Sequence, residues 1–122
     1  QRQMCIRDRY ELINQFLDEL QYMEQRFDAV KHKQEEDSFY SIVLPYAERI
    51  DALIADLKKY QNVITQKVNY FNESKFSLLI SNLQDLSVEC HFARTSRKLF
   101  NEKLKAVRYD LNQIKRNGEF ND

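Results

Sequence analysis

Residues 10–32 read YELINQFLDELQYMEQRFDAVKH, and the spacing of their apolar side chains decides the fold class. Ile13, Phe16, Leu20, Met23, Phe27 and Val30 recur in alternating three- and four-residue steps, the period of one face of an α-helix. Asp18, Glu19, Gln21 and Gln25 fall largely off that stripe. The spacing predicts a helix over 10–32, ended by the polar run Lys33 to Asp37.

The same pattern continues outward with almost nothing to interrupt it, because the 122 residues hold one glycine and one proline. Phe39, Val43, Tyr46, Ile50, Leu53, Leu57, Tyr60 and Ile64 form a second stripe. Pro45 lacks a backbone N–H and is tolerated in a first helical turn, so a short lead-in over 39–44 and a helix over 45–66 are expected. Asp37 or Ser38 is placed to cap it. After a loop near 66–72, capped by Asn72 or Ser74, come Phe76, Leu79, Leu83, Leu86, Cys90 and Ala93 on a helix over 73–94. Thr95 and Ser96 mark a reversal into a helix over 96–117, with stripe Phe100, Leu104, Val107, Leu111 and Ile114. Gly118 suits the left-handed position just past its end. Four amphipathic segments with short connections bury their stripes together as an all-α, four-helix up-and-down antiparallel bundle.

Composition narrows the class further. With 43% hydrophobic and 31% charged residues the chain has the balance of a folded domain. No apolar run approaches bilayer length, so no membrane association is expected. Two cysteines, Cys5 and Cys90, make no disulfide framework, and a cytoplasmic location is expected. Gln1 to Arg9, QRQMCIRDR, resembles a translated sequencing-adapter remnant and is set apart from the single domain expected over 10–118 and the tail 119–122. Without its three arginines and one aspartate, the 19 basic and 19 acidic residues become a net charge of −2.

Phe39-Tyr40 with Pro45 and Asp51, Tyr70, Asn82 with Leu86, and above all Arg97-Lys98-Leu99-Phe100 followed by Val107, Tyr109 and Leu111 carry a family likeness. On these pieces the chain resembles the YppE-like family of small Gram-positive bacterial proteins. The resemblance implies a cytosolic helical bundle and supplies no catalytic residues. Where that family often has an Arg-Pro-Lys-Tyr-like stretch, this chain has Lys67-Val68-Asn69-Tyr70, which implies a less rigid second loop.

Catalytic and metal constellations fail on spacing. A di-iron bundle needs Glu-x-x-His pairs on one helix face; His91 follows Glu89 by two positions, and His32 has no glutamate three before it. Cys90 and His91 are adjacent and diverge around a helix, which excludes a zinc pair. Arg26 and His32 loosely match an Arg-x5-His ribonuclease pattern, but no polar residue follows the arginine where such enzymes usually have one. Cys90, on the apolar stripe, reads as a core residue. No Gly-rich loop is present to cradle phosphate. Catalytic, metal and cofactor-binding residues are therefore none. The tyrosines are expected at stripe edges with wet hydroxyls, and Asn82 part-buried, fixing register through a hydrogen bond.

Charge is unevenly spread. Residues 10–57 hold 11 acidic and 4 basic side chains, whereas 94–116 hold 8 basic and 2 acidic. Mutual pairing inside the bundle accounts for most of this. Arg97 and Lys98, with Arg94 just before them, nevertheless occupy the first turn of a helix, where the dipole disfavours cations. That turn is the candidate partner-binding site, for an acidic or anionic group. The expected function is a non-enzymatic interaction or regulatory module with a protein partner, acting as a monomer or weak homodimer. Nucleic acid is not an expected partner, since too few cations cluster to track a backbone. The competing expectation is an enzyme or small-ligand carrier with a pocket inside the bundle.

Overall fold

A computed structural model describes residues 6–68 and 71–120. All elements among them are helical: α1 (Ile6–Lys33), a single π-helical turn (Phe39–Val43), α2 (Leu44–Lys58), α3 (Gln61–Lys67), α4 (Glu73–Glu89) and α5 (Arg97–Phe120). Part of the expected adapter remnant, residues 1–5, lies outside the described residues, as do Asn69, Tyr70 and the last two residues of the expected tail. α1 already begins at Ile6, and α5 carries helix into the expected tail as far as Phe120.

The stripes meet in one core. Every expected seam residue of α1 and α5 is buried, and so are Val43, Tyr46, Ile50, Leu57, Phe76, Leu79, Leu83, Leu86 and Cys90. α1 packs against α5 and α2, and α4 against α2 and α5, so the contacts close a ring around that core. Phe27 and Phe100 stack across the α1–α5 contact with ring centroids 4.1 Å apart. The charge asymmetry is spent at the same seams: Arg97 on Asp28 at 2.8 Å, Arg108 on Glu24 at 3.2 Å, and Lys103 between Asp85 at 3.2 Å and Glu89 at 3.0 Å. Burial pulls the Lys103 ammonium down, but its bonds to Glu89 and Asp85 outweigh that and hold it above the ordinary lysine range.

Several boundaries differ from expectation for local reasons. The single helix expected over 45–66 is broken at Lys59 and Tyr60, whose N–H groups reach back three residues to Asp56 and Leu57 carbonyls at 3.2 and 2.9 Å. The tight turn needs no glycine or proline and keeps Leu57, Tyr60 and Ile64 all facing the core. Pro45 does sit in the first turn of its helix. The helix expected to reach residue 94 ends at Glu89, because the following residues turn inward to bury His91; Phe92 N and Thr95 Oγ1 both donate to the Glu89 carbonyl, at 3.1 and 3.2 Å. Gly118 is not a left-handed cap, since α5 runs through it. The left-handed residue is Gln34, with φ 58°, just past α1. Its N–H donates to Val30 O at 2.8 Å and its side-chain amide to Lys31 O at 2.6 Å, which closes the helix end and offsets the strain of a left-handed non-glycine. Asn72 caps α4 through Lys75 N at 2.9 Å, and Ser96 caps α5 through Leu99 N at 3.3 Å. Asn82 is half-buried, and no hydrogen bond of its side chain occurs among the described residues.

Asp110 supplies a pH test of this packing. Burial raises its carboxyl above the ordinary range, and Lys75 at 3.5 Å offsets only part of that. The folded state therefore holds this proton more tightly than the unfolded chain, so the group favours folding at low pH and loses that contribution as pH rises through its raised titration. Asp110→Asn is expected to melt a few degrees above the parent at neutral pH, with the gap closing below about pH 4. A gap that widened on acidification would reverse the assignment. Melting curves across pH decide it.

Candidate functional site

One end of the molecule gathers the close of α1, the segment 34–43, the close of α4 and the start of α5. A carboxylate ties the first three of these pieces together. Asp37 Oδ2 accepts from His91 Nδ1 at 2.7 Å, and Arg26 Nε of α1 lies 3.0 Å from the same oxygen. The Asp37 N–H donates to the His91 carbonyl at 3.2 Å, so backbone and side chain both bind the turn after α4. His91 is wholly buried, and its Nε2 has no hydrogen-bond partner among the described residues. With Asp37 as acceptor, Nδ1 of the imidazole carries a proton.

A second polar group leans on the first. The Tyr46 ring meets His91 edge-on with centroids 5.5 Å apart. Its hydroxyl donates to Glu19 Oε1 at 2.8 Å, and Glu19 Oε2 also accepts from Arg49. Burial, then the Glu19 carboxylate, pushes the Tyr46 phenol well above its ordinary range. Cys90, beside this network, has its thiol pushed up to about 12 by burial and by the Asp37 carboxylate. It is a protonated core residue, without the thiolate that nucleophilic chemistry requires. The His91–Asp37 pair has the geometry of a base and its orienting acid, but no cleft among those described opens onto it. Asp37 joins three chain segments: α1 through Arg26, its own, and the turn after α4 through His91. Among the described residues, no group of three or more His, Cys, Asp and Glu is placed to hold a metal ion.

What the clamp holds outward is aromatic. Ser38 caps the π-helical turn, and its carbonyl accepts from Ile42 N at 2.9 Å and Val43 N at 3.0 Å. Val43 anchors the turn in the interior, whereas Phe39, Tyr40 and Ile42 are 49%, 79% and 39% exposed. The Phe39 and Tyr40 rings stand nearly perpendicular with centroids 5.1 Å apart. Phe39 was expected on the core stripe; the wider π turn shifts the helical phase between it and Val43 and leaves it outside.

The basic turn lies at the same end. Arg94 donates to Glu36 at 3.1 Å with its guanidinium 4.9 Å from the Phe92 ring centre. Arg97 donates to Asp28 at 2.8 Å and lies 5.4 Å from the Phe27 ring centre. Lys98 is exposed and takes part in none of the ion pairs among the described residues. The Arg26–His32 pair is not assembled: Arg26 turns to Asp37 and His32 is exposed. Sequence spacing missed Asp37 and its partner because 54 residues separate them. The one local signal was an acidic residue directly before the Ser38 cap.

Comparison with known proteins follows the fold. The profile of a bacterial domain of unknown function, DUF1798, matches residues 13–117. A crystal structure of a DUF1798 domain of unknown function from Staphylococcus aureus subsp. aureus is 45% identical, covers 92% of this chain and 96% of that one, and superposes with a TM-score of 0.89. A protein of unknown function from Listeria innocua shares the fold at 15% identity, with 93% of each chain covered and a TM-score of 0.83. No curated protein matches the sequence.

Proposed function

The chain belongs to the DUF1798 family, a bacterial domain of unknown function, and we propose that this member is a non-enzymatic interaction module that docks a protein partner through the aromatic turn. The observation that carries this is the exposure of Phe39, Tyr40 and Ile42 on a turn clamped from behind by Asp37. Large apolar side chains on a rigid turn lose little conformational freedom on docking, and aromatic residues dominate interface energetics. A π-helical turn is itself a frequent mark of functional sites.

The reading extends to the rest of the molecule. We place the chain with the YppE-like proteins and take the fold as an up-and-down antiparallel four-helix bundle, which the ring of contacts among α1, α2, α4 and α5 supports. The module acts in the bacterial cytoplasm as a monomer or weak homodimer, on protein and not nucleic acid. No described helix is long and apolar enough to cross a membrane. Arg94, Arg97 and Lys98 border the docking end. Because Glu36 and Asp28 already engage the two arginines, Lys98 is the cation left to meet an anionic group of the partner.

Affinity capture from the source cells tests this. The Phe39→Ser/Tyr40→Ser double variant is expected to lose the partners of the parent while its melting temperature stays within a few degrees. Lys98→Ser weakens capture without changing stability, whereas Arg94→Ser/Arg97→Ser lowers the melting temperature through its lost ion pairs. Full capture by the Phe39/Tyr40 variant would overturn the docking role of the turn.

A further inference from the structure

Outside the aromatic turn, Leu78, Leu99 and Tyr109 are more than half exposed. Leu99, Glu102, Ala106 and Tyr109 recur in three- and four-residue steps, so they share the outward face of α5, and all four are exposed. Ion pairs of Lys75 with Asp110 at 3.5 Å and of Lys103 with Asp85 at 3.2 Å run α4 antiparallel to α5. That register sets Leu78 at the level of Val107 to Tyr109, and the two helices present one outward face. The charges of α5 that point toward neighbouring helices are engaged within the chain: Arg97, Lys103, Arg108 and Asp110. Glu102 and Lys105 are different. Both are exposed, and neither takes part in the ion pairs among the described residues.

Charge and spacing select the occupant. Glu102 and Lys105 are opposite in sign and about one helical turn apart, so the face matches itself when two copies of α5 run antiparallel. A two-fold axis midway between them sets each Glu102 opposite the second copy's Lys105, twice by symmetry. The same operation carries Leu99 to the level of residue 108 in the other copy, beside the second copy's Tyr109 and Leu78. Ala106 keeps the seam narrow, so the helices can approach closely. A parallel pairing would instead set like charges together. We propose that this face joins two copies of the chain through an antiparallel α5–α5 contact, with apolar burial supplying the attraction and the two charge pairs fixing the direction. A single helix pair falls below the about 1,200 Å² of a stable interface, so a weak dimer with a Kd of about 100 µM is expected. None of its residues belongs to the aromatic turn, and the two surfaces are lost in different variants.

Sedimentation equilibrium of the full chain from about 10 µM to about 1 mM tests the proposal, and the parent is expected to pass from one chain mass toward two. Glu102→Lys and Lys105→Glu each set like charges across the axis and should weaken association at least about tenfold. The double variant Glu102→Lys/Lys105→Glu restores both pairs with the charges exchanged and should return to within about threefold of the parent. Leu99→Ser/Tyr109→Ser abolishes the dimer while its melting temperature stays within a few degrees, because both side chains face solvent in the single chain. Phe39→Ser/Tyr40→Ser leaves self-association unchanged. The proposal falls if the parent stays monomeric up to about 1 mM, if either single charge variant associates as the parent does, or if the double variant fails to recover.

Discussion

Leu83→Asp is expected to abolish folding, and Leu104→Asp to do the same from the neighbouring helix α5. Both leucines lie in the common core, essentially without solvent contact. Each change removes a packed side chain, a loss of about 2–5 kcal/mol. It also buries a carboxylate with no partner, which adds several kcal/mol more. Against a total stability of about 5–15 kcal/mol for a domain, little folded population survives. Far-ultraviolet circular dichroism and thermal melts check this. A parent-like helical signal with a cooperative melt in both variants would mean that the seams of α4 and α5 do not face the core.

Asp37→Ala has the next largest expected effect, through charge and not volume. The variant leaves Arg26 and the buried His91 facing each other without the carboxylate that both engage. Breaking a buried charge pair costs about 3–5 kcal/mol. Arg26 keeps partial solvent contact, so about 3 kcal/mol is expected here. Arg94→Ala is the matched control, because it removes an ion pair to Glu36 between largely exposed partners. Such pairs are worth about 0–1 kcal/mol. Urea unfolding of the two variants should separate them clearly. Equal losses would show that Asp37 is one more surface acid.

Helical class and core were legible in the sequence because both rest on a local period. The stripe from Ile13 to Val30 and that from Phe100 to Ile114 are buried throughout. Where the period failed, a turn of different width intervened. The π-helical turn carried Phe39 out of the core. The tight turn at Lys59 and Tyr60 divided a helix without any breaker residue. The early end of α4 had another origin: the Asp37 contact makes His91 worth burying, and no helical spacing encodes a partner 54 positions away. The site was less legible than the fold for the same reason. Arg97 and Lys98 stood out by their conflict with the helix dipole; the structure answers Arg97 with Asp28, and Arg94 just before them is held by Glu36. Tyr40 gave no signal, because an exposed aromatic residue and a stripe-edge one look alike until the backbone phase is known.

That Asp37 holds the aromatic turn in its exposed, docking-ready form is the central claim, and amide hydrogen exchange tests it directly. Ile42 and Val43 donate to the Ser38 carbonyl, one residue beyond Asp37. In Asp37→Asn these two amides are expected to exchange at least about tenfold faster than in the parent, while those of Leu104 and Val107 in α5 keep their protection. Unchanged exchange at Ile42 and Val43, in a variant that has lost the carboxylate charge, would contradict the claim.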